Sequence, residues 1–328
     1  MRHDLAPDGI GPTRRGGESR GAAVKPVAVC LPDGWQGRVN PAWLTGWRPT
    51  AFELEGGTTQ VVESGAGPPL LLVPPLPGFK EAWIATVPAL ARHFHVVTFD
   101  LRVRFADRPR WEDLVDDLDR VADAFVPGPV LLVGHSLGGA LAQRWALARP
   151  ERVAALVLSS SFARVGSARG YWAKRYVEQP LVLASQRFLP ERLAAPMARW
   201  LAARHAWVYD ARCDERTLSF VRYCIRAIEL PLARRLVTLA FEHDVRATLA
   251  HLRCPTLLVV GERETPWARA ATSELSRLLP DAALRMSPAT SHLHPLSAPE
   301  WFADTVHEWL ASGMPGHAED STAAAASP

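Results

Sequence analysis

Ser136 lies in Val130–Gly139, which reads V-L-L-V-G-H-S-L-G-G. An apolar run of strand character meets Gly-x-Ser-x-Gly, and a helical stretch begins at once at Ala140. A strand that passes straight into a helix leaves a sharp turn with its central side chain exposed. Glycines at 134 and 138 suit the close backbone contacts of such a turn. A residue there also sits at a helix N-terminus, where free N–H groups and the positive end of the dipole favour an oxyanion. The chemistry implied is nucleophilic attack by the Ser136 hydroxyl. Without the strand before it and the helix after it, the string would be only a glycine-rich turn. At neutral pH a serine needs a general base within hydrogen-bond reach, usually histidine, and a carboxylate to orient that base.

The segment resembles the nucleophile elbow of the α/β-hydrolase superfamily, and the similarity runs over roughly Phe52–Leu310. In that family the chain order is serine, acid, histidine. Residues 286–302 read M-S-P-A-T-S-H-L-H-P-L-S-A-P-E-W-F. This is similar to the family's histidine loop, which makes His292 the expected base, with Ser291 where glycine is usual. His294 is the rival; two residues on, it would point differently from an extended loop. His93, His95, His205, His243, His251 and His307 read as ordinary surface or packed residues. Leu257–Pro266, L-L-V-V-G-E-R-E-T-P, resembles the family's strand followed by G-E-x-Asp. Glu264 then holds the acid position, where aspartate is usual, and Glu262 is its competitor. Leu156–Ser161 ends in Ser-Ser-Ser and offers no alternative acid.

Acyl transfer also needs two donors aimed at the developing oxyanion. The resemblance assigns one to the Leu137 N–H, directly after the nucleophile, and the other to the loop after the third strand. That loop lies in Leu70–Phe79, L-L-L-V-P-P-L-P-G-F, and the donor position falls on Leu76. Family members commonly carry His-Gly where this chain has Pro74-Pro75. Proline has no N–H, so Leu76 alone among residues 74–77 can donate. The prolines could lock the loop and orient that donor. Alternatively, loss of His-Gly has degraded the hole, or the prolines merely end a strand. The turn at Asp100–Phe105 is similar to the family's D-x-R-G-x-G, but Val103 and Phe105 replace both glycines and must change its shape.

The elements that would carry these residues alternate. Strands are expected at Ala51–Leu54, Thr58–Glu63, Leu70–Val73, His95–Phe99, Val130–Val133, Val153–Leu158, Thr256–Val260 and Ala283–Met286. Helices are expected at Trp83–Arg92, Trp111–Phe125, after the glycine-rich turn from Ala140 through Ala148, at Ala268–Leu279 and at Trp301–Leu310. Continuous apolar strands between helices indicate a mostly parallel sheet covered on both faces. The α/β core is expected at 25–161 and 251–312. A helical insertion at 162–250 interrupts it, in the place of the family's cap (lid) domain. Residues 1–24 and 313–328 read as disordered tails.

The chain has 328 residues, 48% hydrophobic and 22% charged, with net charge +3. That length supports one large core or a core with an insertion, and the charge gives no case for nucleic acid. No apolar run reaches the length of a membrane span. Arg14 and Arg15 are not followed by a signal-peptide stretch, so the expected location is cytoplasmic. Cys30, Cys213, Cys224 and Cys254 lack metal-ligand spacing and read as reduced thiols. The insertion carries 14 arginines and Lys174 against eight acids. That excess suits either a solvated helical face or attraction of an anionic substrate or membrane surface. Its aromatic residues, from Tyr171 to Tyr223, suit a cap core and an apolar pocket.

The expected function is a serine hydrolase acting on a carboxylic ester or related acyl compound, with a lipophilic part, through an acyl-serine intermediate. This chemistry needs no metal or organic cofactor. Thioester, lactone or carbon–carbon bond hydrolysis and perhydrolysis stay open, as does a catalytically idle binding or scaffold protein on the same fold. Oligomeric state is not indicated.

Overall fold

The computed structural model describes residues 41–102, 109–165, 181, 184, 188–190, 192–193, 196, 230–279 and 281–314. Most of the expected insertion lies outside these residues. So do residues 1–40 with Cys30, Cys213 and Cys224, the tail from 315 onward, and the part of the Asp100 turn holding Val103 and Phe105.

Eight strands form one sheet: β1 Pro49–Leu54, β2 Gly57–Ser64, β3 Pro69–Val73, β4 His95–Phe99, β5 Val130–His135, β6 Val153–Ser159, β7 Thr256–Gly261 and β8 Ala283–Ser287. Their order is β1-β2-β4-β3-β5-β6-β7-β8. The β1–β2 hairpin turns at Gly56 and is antiparallel, as is β2–β4; from β4 to β8 every pairing is parallel. The helices are α1 Val87–Leu90, α2 Trp111–Phe125, α3 Leu137–Ala148, α4 Leu230–Glu242, α5 Pro266–Leu278, α6 His294–Ser297 and α7 Pro299–Ala311. This is the mostly parallel α/β architecture expected.

The strands are apolar throughout because both faces are covered. In β3, Leu71 and Val73 pack into one core with α2, α3, α4 and α5, while Leu70 and Leu72 pack into the other with α1 and α7. β5 divides likewise, with Val130 and Leu132 on the first face and Leu131 and Val133 on the second. This alternation fixes register, since a one-residue slip would exchange the two faces.

The single helix expected at Trp83–Arg92 is instead a 3₁₀ turn, Lys80–Trp83, followed by the short α1. Pro88 explains the break. In one continuous helix its ring would meet the carbonyl of Ile84, and it has no N–H to give; near the start of α1 neither matters.

After β6 the chain leaves the sheet at Phe162–Val165 and returns beside it. The Val245 N–H donates to the Ala163 carbonyl at 3.1 Å, and Arg164 bridges to Asp244. Cys254 is a free, half-buried thiol.

Candidate active site

Ser136 joins β5 to α3 with φ 53° and ψ −116°, a left-handed conformation unusual for a residue with a side chain. Its N–H donates to the Ser159 carbonyl at 2.9 Å, and its carbonyl accepts from Gly139 and Ala140. The turn depends on close backbone approach. A Cβ at Gly138 would overlap the carbonyl oxygens of Val73 and Pro74. α3 therefore begins directly against the proline-rich turn.

His292 follows β8 and brings Nε2 to 3.1 Å from the Ser136 hydroxyl. Its Nδ1 lies 3.2 Å from Glu264 Oε2. One tautomer satisfies both contacts: Nδ1–H donates to Glu264, and Nε2 accepts from the serine. Glu264 Oε2 also accepts from the Ser160 hydroxyl at 2.7 Å, and Oε1 from the Thr265 N–H at 2.9 Å. Burial alone would raise the Glu264 carboxyl, but the His292 imidazole and these donors hold it down to about 2. Thr265, next in the chain, caps α5 by accepting from Ala268 N–H at 3.1 Å. Glu264 thus stands on the fixed N-terminus of a helix.

The acid and histidine loops are tied to each other. Glu262 N–H donates to Ser287 and Arg263 N–H to Thr290. The Glu262 carboxylate accepts from Ala289 N–H at 2.6 Å, while the carboxylate on His292 is that of Glu264.

His294 is fully buried. Its Nδ1 donates to the Ser291 carbonyl at 3.0 Å, and its Nε2 accepts from the Ser159 hydroxyl at 2.8 Å. The Ser159 oxygens in turn accept from His135 Nδ1, the hydroxyl at 2.9 Å and the carbonyl at 3.0 Å. Burial keeps both imidazoles neutral, with His294 pushed down to about 4 and His135 well below the usual histidine range. With both nitrogens engaged, His294 braces the loop just before His292. Ser161 completes the set by donating to the Ser136 carbonyl at 3.1 Å.

The three serines that close β6 therefore hold the loop of His292, the Glu264 carboxylate and the Ser136 turn, one each. Sequence reasoning saw them only as lacking an acid. Their clustering at a strand's carboxyl end, where ligands bind in α/β folds, was the available signal.

Two backbone donors face no acceptor among the described residues: Leu137 N–H, at the start of α3, and Leu76 N–H, in the proline-rich turn. A first-turn helical N–H has no intrahelical acceptor. The packing of Gly138 on Val73 and Pro74 sets the two loops side by side. Such an arrangement can deliver a hydroxyl nucleophile, a base steadied by a buried carboxylate, and backbone donors for an oxyanion. Among the described residues, no group of three or more His, Cys, Asp or Glu could hold a metal ion, and no helix is long and apolar enough to cross a membrane.

Residues 68–299 match the alpha/beta hydrolase fold family. The chain belongs to that family, and it is a hydrolase. It is similar to the pimeloyl-[acyl-carrier protein] methyl ester esterase of Nitrosomonas europaea, 29% identical over 245 residues that cover 73% of this chain and 94% of the relative. It is also similar to the (E)-2-((N-methylformamido)methylene)succinate hydrolase of Acinetobacter baylyi, 22% identical over 265 residues, 77% of this chain and 94% of that one. Among solved structures, a hydrolase from Pseudomonas aeruginosa superposes with TM-score 0.65 at 24% identity, covering 80% of this chain and 98% of that one. That last likeness concerns the fold alone.

Proposed function

We propose that the protein is a serine hydrolase of carboxylic esters or related acyl compounds. The observation that carries this is the unbroken hydrogen-bonded line Ser136–His292–Glu264, at 3.1 and 3.2 Å. Ser136 Oγ attacks the carbonyl carbon as His292 Nε2 takes its proton, and Glu264 steadies the imidazolium. The N–H groups of Leu76 and Leu137 receive the oxyanion. His292 then returns the proton to the leaving alcohol. Water, activated by the same nitrogen, releases the acid from acyl-Ser136. The full burial of the Glu264 side chain suits this role, because its charge is spent on His292 rather than on solvent.

A small-molecule substrate with a carboxylic ester agrees with the name of the Nitrosomonas europaea relative, which specifies a methyl ester. A lipophilic part is inferred from the aromatic residues between Tyr171 and Tyr223, in a stretch of sequence that corresponds in chain position to the family's cap. Turnover of p-nitrophenyl esters of increasing chain length tests the reading. Wild type should hydrolyse them, and Ser136→Ala should lose at least about a thousandfold in kcat. Equal rates for wild type and Ser136→Ala would refute it.

A further inference from the structure

Lys80 is 1% exposed, yet it carries an ammonium. It follows the proline-rich turn directly and opens the 3₁₀ turn Lys80–Trp83. Its Nζ donates to Asp100 Oδ2 at 3.1 Å, Glu81 Oε1 at 2.7 Å and Gln60 Oε1 at 3.0 Å, so all three protons are used. Its backbone N–H donates to the other oxygen of Asp100, Oδ1, at 2.9 Å. Burial alone would lower this amine, but the carboxylates of Asp100 and Glu81 hold it above the usual lysine value and charged. Asp100 is itself fixed to the sheet: its N–H donates to the Gln60 carbonyl, and its carbonyl accepts from Thr59 Oγ1 at 2.8 Å.

A buried ion pair is weak evidence of stabilisation, because apolar side chains of like volume often serve as well or better. Its place in the fold suggests another use. Three prolines remove donors from residues 74–77, so the turn has few hydrogen bonds with which to hold itself. Gly78 N–H donates to Pro75 at 2.6 Å, and Leu101 N–H to Gly78 at 2.7 Å. Beyond these, among the described residues, the hydrogen bonds that tie the end of the turn to the carboxyl end of β4 come from Lys80, by backbone and side chain onto one carboxylate.

We propose that Lys80 is a positioning residue: clamped on Asp100, it fixes the Pro74–Phe79 turn so that the Leu76 N–H aims at the oxyanion. This rests on the reading of Leu76 as an oxyanion donor. Removing one oxyanion donor costs about 10²–10³ in kcat, and misaiming one costs less, about tenfold to a hundredfold.

The test compares wild type, Lys80→Met and the charge-neutral double variant Lys80→Met/Asp100→Asn. The double variant leaves no unpaired Asp100 carboxylate if the single one fails to fold. Steady-state kinetics on p-nitrophenyl acetate should show kcat down about tenfold to a hundredfold with KM within about twofold. Phosphonylation by a fluorophosphonate, whose P–O oxygen uses the same donors, should slow in parallel. A folded double variant with wild-type kcat, or with the loss confined to KM, overturns the role of Lys80 while leaving the hydrolase reading intact. A wild type inert toward both ester and fluorophosphonate would instead remove the proposed serine-esterase function and this role with it.

Discussion

Glu264 illustrates how one side chain takes its properties from neighbours distant in sequence. It stands where the family pattern has aspartate, and the longer arm still meets His292 Nδ1 at 3.2 Å. Glu264→Ala should lower kcat by about a hundredfold to ten-thousandfold on an activated ester, since an unsteered imidazole can adopt the wrong tautomer. The same carboxyl predicts a pH dependence of stability. Its folded value of about 2 lies below its ordinary 4.5, so its stabilising contribution is complete above about pH 4.5 and is lost as pH falls toward 2. Urea midpoints of wild type and Glu264→Gln should therefore differ more at pH 6 than at pH 3.5; a gap that is constant or widens on acidification would contradict this. Ser136, His292 and Glu264 were readable as candidates because each sits in a local string: Gly-x-Ser-x-Gly, a histidine loop, and a strand ending in Gly-Glu-x-Glu. The contacts that Lys80, Ser159 and His135 make around the candidate site were not readable. What they do is set by partners 20, 135 and 24 positions away, which no local string encodes.

At the scale of elements, the β6 terminus and the α6 entry form a strut. His135 donates to Ser159, Ser159 to His294, and His294 to the Ser291 carbonyl, immediately before His292. His294→Phe keeps a ring in the cavity but breaks both ends of the strut. It should reduce kcat by about tenfold with KM little changed, and Ser159→Ala should resemble it, since a base displaced by a fraction of an ångström loses its near-attack geometry. Kinetics of the two variants on p-nitrophenyl acetate check this; wild-type kcat in both would remove the strut from the account. Elements with a strong period were legible end to end. α2 spans Trp111–Phe125, as its apolar spacing at Leu114, Leu118 and Val121 implies. The stretch around Pro88 was misread as one helix, because its apolar pattern continues through a residue that cannot join the hydrogen-bond ladder.

For the whole molecule, the parallel sheet brings Ser136, His292, Glu264 and the proline-rich turn to one edge, because each follows the carboxyl end of a strand: β5, β8, β7 and β3. That convergence comes from topology and was legible in the alternation of continuous apolar strands with helices. The double-sided packing that supports it, with successive residues of β3 and β5 facing opposite cores, was legible as well. The central claim is that this edge holds a working serine triad. The most direct measurement is mass-spectrometric mapping of the fluorophosphonate adduct, with its rate of formation, in wild type and in His292→Ala. A single adduct on Ser136, formed about a thousandfold more slowly without His292, is the predicted result. An adduct on another residue, or a rate unchanged in His292→Ala, would contradict it.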